Sequence, residues 1–183
     1  MRRVLHAVLL GLLGAGILHI AVLLLVPKLT ERSAWSRLAT ASDLYKMTRL
    51  TAETGGAPVV KSVDPLFAAI ACRFDLADGM VQVKGPPGTI PFWSVSVYDR
   101  NGHNIYSFND HGASKGLLDA VVLTPAQMLE VRKDLPPEYQ GSVFVEAPID
   151  NGILVVRSFI PDESWRPAVM QFLGGSSCDL RQP

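Results

Sequence analysis

An excess charge of one sign and an ample supply of cysteine are what this sequence lacks. Its 17 Lys and Arg residues balance 17 Asp and Glu residues, so the basic surplus typical of nucleic-acid-binding proteins is missing. Two cysteines in 183 residues are too few for a cysteine-rich scaffold. The usual metal-site, phosphate-loop, dinucleotide and Gly-x-Ser-x-Gly motifs are also absent from the sequence. We therefore expect no nucleic-acid partner, no metal and no cofactor.

The longest apolar run lies at the amino-terminal end. Residues 4–26 follow Arg2 and Arg3 and are apolar apart from two histidines and glycines. About 20 such residues cross the hydrocarbon layer of a bilayer, so we interpret the run as an uncleaved membrane anchor. The alternative is a cleaved signal peptide, which ordinarily has a shorter apolar part and a small-x-small cleavage site. Residues 26–28 offer no such site.

The residues around the run indicate its orientation. Arg2 and Arg3 favour a cytoplasmic amino terminus under the positive-inside rule, although basic residues also follow the run. We expect a single-pass inner-membrane protein of a Gram-negative-type bacterium. Its predicted parts are a cytoplasmic tail and transmembrane anchor at 1–27, a helical stalk or linker at 28–58 and a β-rich periplasmic domain at 59–183.

The anchor carries a small residue at every fourth position, namely Ala7, Gly11 and Ala15. Such a ridge allows two helices to approach closely, and it predicts weak homo-association of the anchor within the lipid bilayer. Alanine and glycine are also common in membrane helices that have no partner. That simpler explanation stays open.

Three stretches of the remaining sequence show hairpin patterns. Each alternates apolar and polar residues around an Asp-Gly or Asn-Gly pair, which favours a tight turn. The turns are predicted at 78–79, 101–102 and 151–152, the middle one as a type I′ turn. The first hairpin would pair Phe74 and Leu76 with Val83 and Val81, the second Val97 with Tyr106 and Val95 with Phe108, and the third Glu146 with Arg157 and Phe144 with Phe159.

Short helices are predicted between the strands. Thr124, Pro125 and Gln127 form the pattern of a capping box with proline at the first helical position, which predicts a helix to about Lys133. A second short helix is expected at 66–71, after Asp64-Pro65, and a short strand at 121–123. The fold class is therefore mainly β, with antiparallel hairpins in a sandwich or barrel, one N-terminal transmembrane helix and a few short helices.

The hairpin segments resemble a known bacterial family. The stretch at 72–79 reads Cys-Arg-Phe-Asp-Leu-Ala-Asp-Gly, the stretch at 91–99 reads Pro-Phe-Trp-Ser-Val-Ser-Val-Tyr-Asp, and Asn-Gly at 101–102 precedes Asn-Ile-Tyr at 104–106. This pattern is similar to the domain of unknown function 1254. The resemblance implies a β-rich envelope domain of uncharacterised function, in a short, membrane-anchored version. It assigns no catalytic residues.

The two cysteines, Cys72 and Cys178, predict one disulfide if the domain lies outside the cytoplasm. The bond would tie the carboxy-terminal tail to the first hairpin. The alternative is two separate reduced thiols. No residue near Cys72 in sequence suggests a base that would activate it as a nucleophile.

Aromatic residues provide the candidate ligand site. Trp93, Tyr98 and Tyr106 could line a binding cleft, although such residues more often belong to a core. A cluster of acidic residues and histidines surrounds the same hairpin: Asp99, His103, Asp110 and His111. The predicted register puts Asp110 and His111 at the far end of the strand, so we do not expect these four to form one catalytic or metal site.

Three functions are consistent with these patterns. The first is a non-enzymatic accessory or interaction protein of the cell envelope, motivated by the anchor and the lack of a catalytic motif. The second is a binding module for a small envelope ligand such as a glycan or lipid fragment. The third is an envelope enzyme, which requires polar side chains that converge in a pocket.

Overall fold

The computed structural model describes residues 1–29, 34–50, 64–88 and 90–182. The chain divides into two compact units, Met1–Ser33 and Ala34–Pro183. The first unit contains helix α1 (Arg2–Leu29), whose segment Arg2–Leu25 is long and apolar enough to cross a membrane, a property it shares with signal sequences. The predicted linker glycines and proline at 55–58 lie outside the described residues.

The second unit is mainly β, as predicted, and its strands form two sheets. The antiparallel five-stranded sheet has the order β1-β2-β8-β4-β5, and the four-stranded sheet has the order β7-β6-β3-β9, with β6 and β7 parallel. The strands are β1 (Thr48–Arg49), β2 (Phe67–Asp75), β3 (Met80–Lys84), β4 (Trp93–Asp99), β5 (Asn104–Asn109), β6 (Asp119–Leu123), β7 (Val143–Glu146), β8 (Asn151–Phe159) and β9 (Ser177–Arg181). Among the residues that the structure describes, three α-helices accompany them: α2 (Ala34–Ala41), α3 (Pro125–Lys133) and α4 (Arg166–Gly174).

The core lies between the two sheets, where each strand contributes every second side chain. The five-stranded sheet supplies buried residues such as Val95 and Leu154, and the four-stranded sheet supplies Val83 and Val122. Helix α4 adds Val169, Phe172 and Leu173 to the same core. This shared apolar layer explains the alternation of apolar residues in β4, whereas β3 is buried on both faces because its other side joins a second apolar cluster with α3.

The predicted disulfide is present and joins the two sheets. Cys72 lies on β2 in the five-stranded sheet, and Cys178 lies on β9 in the four-stranded sheet. Both side chains are buried in the common core. The bond therefore holds the sandwich together from within, across 106 positions of sequence.

The second of the three predicted hairpins is confirmed. Strands β4 and β5 pair Val95 with Phe108 and Val97 with Tyr106, and a bulge follows next to Tyr98. The turn differs from the predicted type I′, since only Gly102 has a positive φ, +90°, whereas type I′ needs two such residues. The Gly102 amide instead donates to the Asp99 carbonyl (3.1 Å), as in a turn followed by a glycine bulge.

The first predicted hairpin is wrong in its pairing. Strand β2 lies between β1 and β8, whereas β3 lies between β6 and β9 in the other sheet. The Asp-Gly at 78–79 is a corner at which the chain passes from one sheet to the other. The Leu76 amide donates to the Asp150 carbonyl (2.7 Å) at this corner, and the hydroxyl of Tyr45 lies 2.6 Å from a carboxylate oxygen of Asp78.

The third predicted hairpin is wrong for the same reason. Strand β7 pairs in parallel with β6, and β8 inserts between β2 and β4 in the opposite sheet. Arg157 therefore lies opposite Ala69 and Ser94 rather than Glu146. Phe159 lies opposite Phe67, and their rings are 5.4 Å apart. Turn residues show where a chain reverses, but they do not show which strand becomes its neighbour.

The helix predictions had mixed outcomes. Helix α3 is confirmed, and Thr124 and Gln127 form the complete capping box. The helix expected at 66–71 is wrong because β2 begins at Phe67 and pairs with β8 over nine residues. Asp64 does accept a hydrogen bond from the Leu66 amide (2.9 Å), but it closes a turn that leads into a strand. The strand expected at 121–123 is confirmed and begins earlier, at Asp119.

Helix α2 covers part of the outer face of the five-stranded sheet. Leu38 is buried there against Ala71, Ile153 and Val155. Arg73 on β2 contacts both ends of this helical segment. Its guanidinium donates a hydrogen bond to the Ser42 carbonyl (2.8 Å) and lies 5.0 Å from the centre of the Trp35 ring. The β4 and β5 side of the same face carries a different, polar surface.

Candidate functional site: a polar network on the outer sheet face

The outer face of the five-stranded sheet changes from apolar to polar along one central row of paired residues. The row that begins with Ala71 and Val155 on β2 and β8 continues with Ser96 on β4 and Ser107 on β5. The alternation of β4 produces this result, because Trp93, Val95 and Val97 all face the core. The serines, together with Tyr98, must then face outward.

Five side chains on this face are joined by hydrogen bonds and are here called the Tyr98 network. Asn104 donates to the Ser107 hydroxyl (2.8 Å), which donates to the Ser96 hydroxyl (2.9 Å). The guanidinium of Arg157 donates to the phenol oxygen of Tyr98 (3.1 Å). Ser96 is almost fully buried, whereas the Arg157 side chain is exposed.

The network places several donors around the oxygen of Tyr98. Burial of the ring favours the neutral phenol, but hydrogen bonding by Ser96, the nearby charge and hydrogen bond of Arg157, and hydrogen bonding by Asn104 outweigh it, so the pKa of Tyr98 is lowered. Each of these groups stabilises negative charge on the oxygen. The donors around this oxygen therefore favour the phenolate more than water would.

The chemical capacity of the network is recognition of polar groups. Arg157 presents a planar fork of donors that suits a carboxylate or phosphate. The hydroxyls of Ser96 and Ser107 can both donate and accept. Tyr98 adds a ring that packs against the apolar cluster beneath α2. A ligand with anionic or hydroxyl groups and an apolar edge would match this combination.

The three predicted ligand-binding residues are not brought together. Trp93 is 2% exposed and lies in the core, where its indole nitrogen donates to the Gly116 carbonyl (3.2 Å). Tyr106 is 46% exposed at the sheet edge and is linked to Trp93 through the ring of Phe108. Tyr98 lies on the opposite face of β4. Of the three, Tyr98 alone belongs to the polar network.

Sequence reasoning missed the other members of the network. The alternation of Ser94 and Ser96 with apolar residues already indicated a polar face, but the predicted third hairpin assigned Arg157 to Glu146. The true neighbours of Arg157 come from strands about 60 and 90 positions away in sequence. Short-range patterns hold no information about that contact.

The acidic residues and histidines around β5 form two separate pairs. Asp99 and His103 lie at the turn before β5 (2.8 Å), and Asp110 and His111 lie after it (3.1 Å). Burial would raise the pKa of Asp99, but hydrogen bonds from His103 and Asn101 lower it overall. The described residues contain no group of three or more His, Cys, Asp or Glu side chains placed to hold a metal ion.

The domain matches a known protein family. A family model described as "Protein of unknown function (DUF1254)" matches residues 43–179. The chain belongs to the DUF1254 family. The matched region of this DUF1254 protein contains the Tyr98 network, both cysteines and all strands except the end of β9. No protein of curated function matches the sequence.

Two solved structures are similar to the DUF1254 chain to different degrees. The VPA0106 protein from Vibrio parahaemolyticus has a TM-score of 0.56 at 11% identity, over 80% of this chain and 34% of that one. A putative uncharacterized protein from Burkholderia cenocepacia has a TM-score of 0.47 at 17% identity, over 72% of this chain and 37% of that one. The chain thus spans little more than a third of either structure. At 11% identity, the first likeness shows the fold alone.

Proposed function

We propose that this DUF1254 protein is an envelope protein anchored in the inner membrane by α1, with its β domain in the periplasm, where it serves as a non-enzymatic accessory or interaction protein. The observation that carries the proposal is a buried disulfide between Cys72 and Cys178 in a chain that also has an apolar helix at its amino-terminal end. Disulfides persist in oxidising compartments and are rare in the cytosol. Delivery to such a compartment requires a segment with the properties of α1.

The proposed contact surface is the Tyr98 network. It combines the exposed guanidinium of Arg157 with hydroxyl and amide groups. Among the described residues of β2, β4 and β5, no carboxylate lies within 4 Å of this guanidinium. An arginine and a tyrosine at the edge of an apolar cluster are the residue types that most often dominate protein interfaces. The surface therefore suits a partner with acidic or hydroxyl groups.

A second candidate function is the binding of a small envelope ligand, such as a glycan or a lipid fragment, at the same surface. The specific observation in its favour is the row of hydroxyls and amides beside Tyr98, since polar groups placed near an apolar ring are typical of ligand sites. The two candidates share one surface and differ in the size of what it binds.

Topology is tested first by placing a single thiol at the hairpin tip. Arg100 is exposed, so Arg100→Cys should react with a membrane-impermeant maleimide in cells whose inner membrane is intact. Peptide mapping of the same cells should recover Cys72 and Cys178 as one linked pair. The periplasmic assignment is wrong if two results occur together. Arg100→Cys would react only after the inner membrane is lysed, and peptide mapping would recover Cys72 and Cys178 as free thiols instead of a linked pair.

Partner binding is tested with a matched pair of arginine variants. Crosslinking and affinity capture of the full chain from membranes should enrich an envelope protein for the wild type and for Arg132→Met, whose arginine is exposed on α3. The Arg157→Met variant should lose it. Equal enrichment by all three chains would remove the Tyr98 network as the contact surface. For the small-ligand candidate, an envelope extract should raise the melting temperature of wild type and Arg132→Met but not of Arg157→Met.

A further inference from the structure

The described residues give the two sheets four edge strands, and three of these strands carry features that discourage pairing with another chain. Strand β1 is two residues long and includes Arg49. Strand β7 carries the exposed Glu146, with Pro148 shortly after it. Strand β9 carries Asp179 and Arg181. Shortness, charge and proline are the usual means by which proteins prevent edge-to-edge association.

Strand β5 is the exception among the strands that the structure describes. It pairs with β4 on one side only, and its sequence, Asn-Ile-Tyr-Ser-Phe-Asn, contains no charge, no proline and no glycine. A bulge interrupts its pairing near Asn104, but the register from Tyr106 to Asn109 is continuous. Such a six-residue segment at an open edge is a template for strand addition.

The side chains of β5 also leave apolar surface at this edge. Tyr106 is 46% exposed, and Phe108 is only partly buried although its ring contacts Trp93 edge-on at 5.8 Å. Both rings lie on the core face of the sheet, at its margin. A strand added beside β5 would cover them and would satisfy the outward backbone groups of β5.

The sequence of β5 is complementary to itself. In an antiparallel pair with a two-fold axis perpendicular to the sheet, residues of one face must oppose residues of the same face. An axis at Ser107 satisfies this condition. It puts Tyr106 of each copy opposite Phe108 of the other, and Ser107 opposite Ser107, with no like charges facing each other. Aromatic cross-strand pairs are favourable.

We propose that β5 is a self-association site through which two copies of this chain pair their five-stranded sheets into one continuous sheet. The occupant is a second copy because the edge is uncharged and two-fold complementary, whereas a charged partner segment would find no countercharge on it. Confinement of both copies to a membrane by α1 would further raise their local concentration. The pairing uses the backbone edge of β5 and does not require the envelope role proposed above, although the side chains of Asn104 and Ser107 also belong to the Tyr98 network.

The test uses the full chain in mild detergent and in native membranes. Light scattering should report a dimer of the polypeptide for the wild type and for Leu129→Lys, which adds a charge at a 63% exposed position on α3. Tyr106→Lys should weaken dimerisation by roughly tenfold or more, because it loses both aromatic cross-strand pairs. Hydrogen exchange of the β5 amides should become faster in Tyr106→Lys and should stay unchanged in Leu129→Lys.

A crosslink tests the register independently of stability. Opposed residues in an antiparallel pair have Cβ atoms about 4.5–5.5 Å apart, so Ser107→Cys should form an interchain disulfide in membranes under mild oxidation. Ser94→Cys, one strand further from the edge on the same face, should form none. A monomeric wild type without the Ser107→Cys crosslink would overturn the proposal. So would a dimer that survives Tyr106→Lys but is lost in Gly11→Ile, since the anchor would then be the site of association.

Discussion

The ring of Phe74 occupies the space that a side chain on Gly152 would need. A Cβ atom built on Gly152 would overlap the tip of the Phe74 ring and would lie 2.8 Å from the carbonyl oxygen of Tyr98. Phe74 is fully buried and lies directly opposite Gly152 on the neighbouring strand. Gly152 is therefore required by packing among β2, β4 and β8, and its φ is not in the left-handed region.

Replacement of this glycine should be costly. Gly152→Ala should lower the free energy of unfolding by about 1–3 kcal/mol, the usual cost of forcing an extra group into a packed core. Urea unfolding of the full chain in detergent, followed by tryptophan fluorescence, measures it. Gly88→Ala is the control, because a Cβ at Gly88 meets nothing within 4 Å. Equal stability of the two variants would show that the Phe74 ring and the backbone at Tyr98 can both move aside without cost.

The pairing of Arg157 with Tyr98 predicts a change in tyrosine ionisation. Arg157→Met should raise the pKa of Tyr98, because the loss of the charge and hydrogen bond removes stabilisation of the phenolate. Ultraviolet difference titration of tyrosinate absorbance, with Tyr98→Phe to identify the signal, measures the shift. Arg132→Met should leave the titration unchanged. An unchanged titration in Arg157→Met would mean that the contact does not persist in solution.

Alkaline stability should depend on Tyr45 in a predictable direction. Its hydroxyl lies 2.6 Å from the Asp78 carboxylate and 2.9 Å from the Asp75 carbonyl, and burial together with Asp78 raises its pKa. A group whose pKa is higher in the folded than in the unfolded state stabilises fully below the unfolded pKa, about 10. That contribution is lost as the pH rises further, because the unfolded chain releases the proton first.

Tyr45→Phe should therefore be less stable than the wild type by about 1 kcal/mol at neutral pH, the typical value of a hydrogen bond, and the difference should shrink above about pH 10. Urea unfolding across this range measures it. Tyr98→Phe should show the opposite trend, because the pKa of Tyr98 is lowered in the folded protein and its contribution grows with pH. A constant difference between Tyr45→Phe and wild type would contradict the prediction.

Gln127 connects the start of α3 to the corner after β2. Its side-chain oxygen accepts from the Thr124 amide (2.8 Å), and its side-chain nitrogen donates to the Leu76 carbonyl (2.9 Å). Gln127→Glu should keep the first bond and lose the second, whereas Gln127→Ala should lose both. We expect losses of about 1 and about 2 kcal/mol in the free energy of unfolding, measured by thermal and urea unfolding. A glutamate variant as stable as the wild type would show that the bond to Leu76 contributes nothing.

The sequence predicted the strands well and their partners poorly. Alternation in 92–109 and the short turn at 101–102 defined both strands of that hairpin because all the necessary contacts are local. The corner at 78–79 shows the limit of this reasoning. The same Asp-Gly signal appears, but Gly79 is needed there because a side chain would meet the backbone of Arg181, about 100 positions away. Glycine can therefore occur at a position for either of two reasons: a tight turn favours it, or distant backbone approaches too closely for a side chain.

Only part of the candidate site could be predicted from the sequence, for a related reason. Tyr98 and the outward serines are in the sequence pattern of one strand, so the polar face could be anticipated. Arg157 and Tyr98 meet because β8 inserts between β2 and β4, and that insertion depends on the apolar core of the whole domain. The cysteine pair was predictable because two thiols allow only one intrachain bond.

Insertion of β8 between two earlier strands also determines when the domain can fold. Neither β2 nor β4 has its central neighbour until residues 151–159 have been delivered, and β3 must wait longer for β9. A sheet whose pairings are so distant in sequence forms slowly. In the periplasmic location proposed above, the thiol of Cys72 would cross the membrane long before that of Cys178 and would stay open to incorrect partners. Production of this protein should therefore depend on the thiol-disulfide exchange catalysts of its compartment.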